Sequence, residues 1–257
     1  MRFSSTIIIA LCAFASFATA CRGQAAPQPP KAVSVHRYAN VASLSALPDW
    51  AGIWTFDFPT IDGFAPEVPS LTPASAAELK ILKDEEAKNQ EPATESANCL
   101  PPGMPTIMFQ PYDIEFLFTP GRVTIIQEAY MQVRRVFTDG RGHPADLDPT
   151  FNGHSIGHWE GDTLVIDTAG LGHITPLGYN RLQHGPHLHV IERIRLTAPD
   201  KMEDDMTMTD PDVLLKPWHL VRTYTRHRDF DQLEFICEEN NRNPIDKNGN
   251  VSTILRH

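Results

Sequence analysis

The sequence predicts an all-β protein, an antiparallel meander closing into a lipocalin-like barrel, with one short surface helix near its N-terminal end. Three observations carry that expectation. From Asp113 onward, segments rich in β-branched and aromatic residues follow one another at hairpin spacing: IEFLF, VTIIQEAY, MQVRRVF, IGHW, TLVIDT, HLHVIERIRL, MEDDMTMTD, PWHLVRTYTRH and QLEFICEE. Turn residues such as those of TPGR and EGD punctuate them, and no helices alternate with them, which argues against a parallel α/β sheet. The alternation is also two-faced: His187, His189, Ile191, Arg193 and Arg195 share one side of their strand, and Leu188, Val190, Ile194 and Leu196 share the other with Glu192 among them. With WTFDF near the start, about ten strands are expected, enough for a barrel or sandwich.

The elements follow in order. Met1-Arg2, the apolar run Ile7 to Phe17 and Ala18-Thr19-Ala20 form a signal peptide over 1–20. The leader makes a periplasmic or secreted protein the expectation. Cys21 stands where a lipid-modified cysteine would follow cleavage, but Ala18 replaces the leucine preferred three residues before it, so an unanchored protein is the first reading and a lipid anchor on Cys21 the alternative, the one route to the membrane. Residues 21–48, rich in Ala, Pro and Ser, read as a flexible linker, and 49–257 as the barrel domain. Trp54, Phe56 and Phe58 alternate with Thr55 and Asp57 as a first strand. Thr72-Pro73 caps a helix near 73–90, with Leu79 and Leu82 on its apolar side. The proline-rich stretch from Pro92 to Tyr112 is a loop serving as lid or plug.

At 257 residues the chain suits one sizeable domain, and a formal charge of −10 disfavours a nucleic-acid partner. In an oxidising compartment Cys99 and Cys237 are expected to pair, closing a loop that stabilises by about 4 to 5 kcal/mol on the chain-entropy model.

Chemistry concentrates between positions 143 and 189, where seven of the eleven histidines fall. Glu192, a carboxylate on an apolar face, requires a cation, a histidine or a cavity mouth. Glu128 shares a predicted face with Ile126 and Thr124. His189, His154 or His158 as base, with Glu192 or Glu128 as partner or acid, would supply general acid–base catalysis. Trp159, Arg134, Arg193, Asn240 and Asn241 are the candidate substrate-binding groups. Gly153-His154-Ser155-Ile156-Gly157 matches the G-x-S-x-G of serine hydrolases, but that elbow needs a strand before the serine and a helix after it, whereas HWEGDTLVI follows as strands. His187 and His189 stand about 7 Å apart on one face. No metal and no other cofactor is expected, because Glu192 faces away from both and one strand cannot assemble three ligands.

CLPPGMP, TPGRVTIIQE, FNGHSIGHWEGDTLVIDT, LHVIERIRL and CEENNRN together resemble segments of a large, mostly uncharacterised set of exported bacterial proteins, over roughly residues 95 to 243. The resemblance implies a β-rich extracytoplasmic domain and no particular activity. The residues lead to an exported enzyme using histidine and carboxylate chemistry on a small, partly hydrophobic molecule, as a lyase, isomerase or hydrolase. The alternatives are a ligand-carrying barrel without turnover and a serine hydrolase acting through Ser155.

Overall fold

Apolar residues at every second position leave each strand with one face to bury, and curling the sheet until its first and last strands pair buries that face and removes both edges. The computed structural model of the protein describes residues 41–57, 69–88, 99–172, 175–178 and 182–237, all within the unit His36–His257. Among these residues nine strands form a closed barrel in chain order: β1 (Ile53–Phe56), β2 (Ile114–Thr119), β3 (Arg122–Gln127), β4 (Gln132–Phe137), β5 (His154–Glu160), β6 (Thr163–Ala169), β7 (His189–Ala198), β8 (Lys201–Thr209) and β9 (Trp218–His227). β1 and β9 close the ring antiparallel, Ile53 opposite His227. The helix α1 (Pro73–Glu86) begins as expected, with Thr72 accepting a hydrogen bond from the Ser75 N–H at 3.3 Å. No helix among the described residues is long and apolar enough to cross a membrane. The leader lies outside the described residues, as does most of the linker, whose last residues form a 3-10 helix, Val41–Ala46.

The barrel is therefore present, with two corrections to the expected meander. QLEFICEE does not form a tenth strand: Gln232–Cys237 runs without ladder pairing across the end of β2 and β3, its Glu238 and Glu239 lying outside the described residues. Gln232 Nε2 donates to the Asp113 and Ile126 carbonyls, the Leu233 N–H donates to Glu128 at 3.0 Å, and Phe235 packs between Tyr112 and Tyr130. The second correction follows from the first. A ring of strands can be antiparallel throughout only when their number is even, so nine strands require a parallel pair. That pair is β4 with β5, Val136 opposite Ser155 and Phe137 opposite Ile156. A parallel neighbour needs the chain to travel back the length of the strand, and residues 138–153 make that return.

Strand parity fills the interior with Trp54, Ile125, Val136, Leu164, Ile166, Val190, Ile194, Met202 and Met206, all fully buried. The described part of the expected 92–112 loop, from Cys99 on, acts as a plug: its 3-10 turn Thr106–Phe109 inserts Ile107, Met108 and Phe109 into the same core, and the Tyr224 hydroxyl donates to the Met108 carbonyl at 2.8 Å; residues 92–98 lie outside the described residues.

The short parallel seam is reinforced from inside. Arg134 of β4, 1 % exposed, donates through Nε to Ser155 of β5 at 3.1 Å, through Nη2 to Thr168 of β6 at 2.8 Å, and through both terminal nitrogens to Glu192 of β7, with Nη1 to Oε1 at 2.9 Å. Ser155 and Thr168 are themselves hydrogen-bonded at 2.9 Å. Gly157 lets the strands approach, since a Cβ there would meet a Val136 methyl and the Val165 carbonyl at 2.9 Å each. Asp204 of β8 shares this interior, fully buried, and neither carboxyl oxygen has a hydrogen-bond partner among the described residues. Burial, and then the Glu192 charge, push its pKa well above the ordinary 3.8.

Cys99 and Cys237 are bridged, with Cα atoms 5.6 Å apart. Peptide mapping without reductant should recover the Cys99–Cys237 pair, and changing both to serine should lower stability by about 4 to 5 kcal/mol in denaturant unfolding. The interior acids should behave in opposite senses. Glu192→Ala strands the Arg134 guanidinium without its counter-ion and should cost about 3 to 5 kcal/mol. Asp204→Leu removes a buried carboxyl without a hydrogen-bond partner among the described residues and should add about 1 to 3 kcal/mol. Because the folded pKa of Asp204 is raised, its linked stability is present below the ordinary carboxylate range and lost as pH rises. The gain in Asp204→Leu should therefore be larger at about pH 8 than at about pH 4.

Candidate functional site

The same parity that buries Arg134 and Glu192 points their neighbours outward. β5 presents His154, Ile156 and His158 on the outer face, β6 presents Asp167, and β7 presents His189, Ile191 and Arg193. Register aligns them: His154 lies opposite Ala169, while Ile156 and Ile191 flank Asp167 from either side. His154 and His189 are thus diagonal neighbours of one carboxylate, on the spacing that long side chains span across strands. The return segment 138–153 brings His143 over the same patch. His143 Nε2 lies 3.1 Å and His189 Nε2 2.6 Å from Asp167 Oδ1, and His143 Nδ1 lies 2.9 Å from His154 Nδ1.

His154 ends this chain at the wall of a groove of about 410 Å³ on the outside of the barrel. Val133, Arg135 and Phe137, the outward residues of β4, form one wall, with Gln132 at its end, and Thr150, Phe151, Asn152 and Gly153 of the return segment form the other. Asn152 Nδ2 donates to Gln132 Oε1 at 3.0 Å, joining the two walls. The His154 ring stacks on Phe137, with centroids 5.4 Å apart and planes 26° from parallel. The Arg141 guanidinium lies 4.0 Å from the Phe137 ring centroid and is ion-paired with Asp139. Burial first, and then the neighbouring His143 and Arg141 charges, hold the His154 pKa below the ordinary 6.5, so its neutral form predominates near neutral pH.

The sequence-predicted residues scatter. His189 and Glu192, expected to act together, occupy opposite faces of β7: an odd separation along a strand sends one side chain out and the other in. Glu192 is spent on Arg134, which is a buried structural cation and not a substrate-binding group. Glu128 sits at the β3–β4 turn holding the Leu233 N–H, and not on the strand face assigned to it. Trp159 faces inward into an aromatic cluster with Trp50 and Phe118. His158 and Arg193 are exposed and paired with Glu160. Ser155 is 1 % exposed inside the barrel, in mid-sheet and not at a strand-to-helix elbow. Asn240 and Asn241 lie outside the described residues. Of the named candidates, His154 and His189 meet at one site.

No protein-family model matches this chain, and no curated protein matches it. A carboxylate that orients His143, which in turn orients His154, is the arrangement that fixes a tautomer and leaves the last ring nitrogen for proton transfer. The expectation of no metal considered the donors of a single strand; His143, Asp167 and His189, from a loop and two strands, offer ligand atoms within 4.8 Å of one another. His187 stands apart, paired with Asp212 at 2.8 Å.

His143 and Asp167 are the residues sequence reasoning did not single out. A signal for Asp167 existed: in TLVIDT the apolar Leu164 and Ile166 share a face with Thr168, leaving Asp167 on the side of the outward histidines once the strands are paired. His143 had none, since its position depends on a return segment that alternation does not reveal.

Histidine resonances followed by NMR across pH in metal-free buffer should show His154 titrating below 6.5. In His143→Ala the value should move part of the way upward, because burial remains when the neighbouring charge is gone.

Proposed function

We propose that the protein is an exported enzyme that moves a proton on a small, partly hydrophobic molecule held in the outer groove, with His154 as the group that exchanges the proton. The observation that carries this reading is the hydrogen-bonded series Asp167–His143–His154, which ends at the groove wall. Asp167 accepts from His143 Nε2–H, and His143 Nδ1 then accepts from His154 Nδ1–H, which leaves the His154 Nε2 lone pair as the base. Among the described residues nothing hydrogen-bonds to that nitrogen. Phe137, Phe151 and Val133 supply apolar contact, and Gln132 and Asn152 supply amide groups. Arg135, exposed and without an ion-pair partner among the described residues, supplies a cation for an anionic substituent. Proton abstraction of this kind serves lyases, isomerases and hydrolases alike, and general acid–base catalysis contributes about 10² to 10⁴ in rate.

Export is supported by the leader-like N-terminus and by the disulfide, which persists in oxidising compartments. Membership of the exported β-rich set that the sequence resembles belongs to the same proposal. The carrier alternative places its ligand in the lumen, where Ile107, Met108 and Phe109 already pack among the strands. The serine-hydrolase alternative needs an accessible Ser155, whose Oγ is instead hydrogen-bonded to Arg134 and Thr168.

Purified protein should be incubated with a metabolite mixture and its products followed by mass spectrometry. His154→Gln should lower the resulting turnover at least about tenfold with the fold retained. Arg135→Ala should raise KM more than it lowers kcat, and His158→Gln should leave both unchanged. Wild-type turnover in His154→Gln, or fluorophosphonate labelling at Ser155, would overturn the assignment.

A further inference from the structure

Asp167 and His143, which begin the hydrogen-bonded series to His154, also face His189, and the three donors together make a ligand set drawn from two strands and a loop. We propose that His143, Asp167 and His189 bind a first-row divalent cation of the zinc class, with at least one coordination position left to solvent. This goes beyond the proton-transfer reading, since it rests on the donor set and would hold if the groove took no substrate at all.

The chemistry of the donors fits. Two imidazoles and one carboxylate are the three-ligand complement of many zinc and other divalent transition-metal sites in which water fills a remaining position. The donor atoms are His143 Nε2, Asp167 Oδ1 and His189 Nε2, with the carboxylate oxygen 3.1 and 2.6 Å from the two nitrogens. Donors about 2.0 to 2.2 Å from a tetrahedral ion lie about 3.3 to 3.6 Å from one another, so modest side-chain rotation opens the space. Two of the three ride on paired neighbouring strands, where Asp167 stands opposite Ile191 and His189 is the next outward residue along β7. Side-chain exposures of 20 %, 36 % and 38 % for His143, Asp167 and His189 leave both an entry path and room for a water ligand.

The outer shell is in place too. An imidazole that binds metal through one nitrogen usually donates a hydrogen bond through the other, which fixes its tautomer. His143 Nδ1 faces His154 Nδ1 at 2.9 Å, so with an ion on Nε2 its proton resides on Nδ1 and is donated to His154. His154 then carries its own proton on Nε2, at the groove. Ion occupancy therefore sets whether His154 presents a lone pair or an N–H; this last consequence rests on the proton-transfer reading, whereas the binding itself does not.

The test uses untagged, disulfide-intact protein, stripped with chelator and titrated with zinc by calorimetry, then with cobalt(II) by visible absorption. One zinc per chain is expected. Asp167→Asn and His189→Ala should each weaken it by more than the roughly tenfold to hundredfold typical of losing an outer-shell partner, and His154→Gln by about that smaller amount. His187→Ala, which removes a histidine outside the cluster, should bind as wild type does. Absence of saturable binding in the wild-type protein, or an unchanged isotherm in both Asp167→Asn and His189→Ala, would overturn the site. Turnover lost in His154→Gln together with no zinc binding would sink the metal site and leave the proton-transfer reading standing; zinc binding with full turnover in His154→Gln would do the reverse.

Discussion

A closed ring of nine strands cannot alternate direction all the way round, and much of this structure follows from that constraint. The parallel pair it demands falls between β4 and β5, whose ladder comprises two residue pairs. So short a seam exchanges few backbone hydrogen bonds, and Arg134 adds side-chain bonds from β4 to β5, β6 and β7. The guanidinium suits that task because its planar fork donates in several fixed directions at once. Burying it requires a counter-charge, which Glu192 provides from two strands beyond the seam.

The same constraint creates the outer site. A hairpin between β4 and β5 would need only a few residues, but a parallel neighbour requires a return across the barrel surface. That return supplies His143 above the sheet and Thr150 to Gly153 along the groove. Framework and site thus meet at the β4–β5 seam from opposite faces: inward residues of β4 to β7 hold it closed, and outward residues of the same strands carry the histidines and Asp167. Functional groups placed on paired strands are held more firmly than groups on loops, and here a single loop residue completes an arrangement otherwise built on the sheet.

The interior polar group extends to a second acid. Asp204 stands near Glu192 and Arg134 without a hydrogen-bond partner among the described residues. One guanidinium does not balance two carboxylates, and burial shifts the second towards its neutral form. In MEDDMTMTD the parity of Met202, Met206 and Met208 puts Asp204 on the inward face and the neighbouring Asp205 on the outward one.

Local patterns were enough to determine the all-β class, the helix start at Thr72-Pro73, the place of Glu192 on the apolar face of its strand and the pairing of Cys99 with Cys237 once both are seen as surviving thiols. These depend on local periodicity, on capping chemistry, or on a count of partners, all of which are written in contiguous residues. The QLEFICEE segment shows where periodicity misleads: Leu233, Phe235 and Cys237 alternate as in a strand, yet they bind a turn, two tyrosines and Cys99 instead of a ladder. Only the tertiary structure decided the strand count, the parallel seam, and the meeting of His143, His154, Asp167 and His189. The physical reason is that a period of two assigns a side chain to a face and says nothing of which strand lies beside it. Register and ring closure, set by the whole sheet at once, decide which outward residues become neighbours.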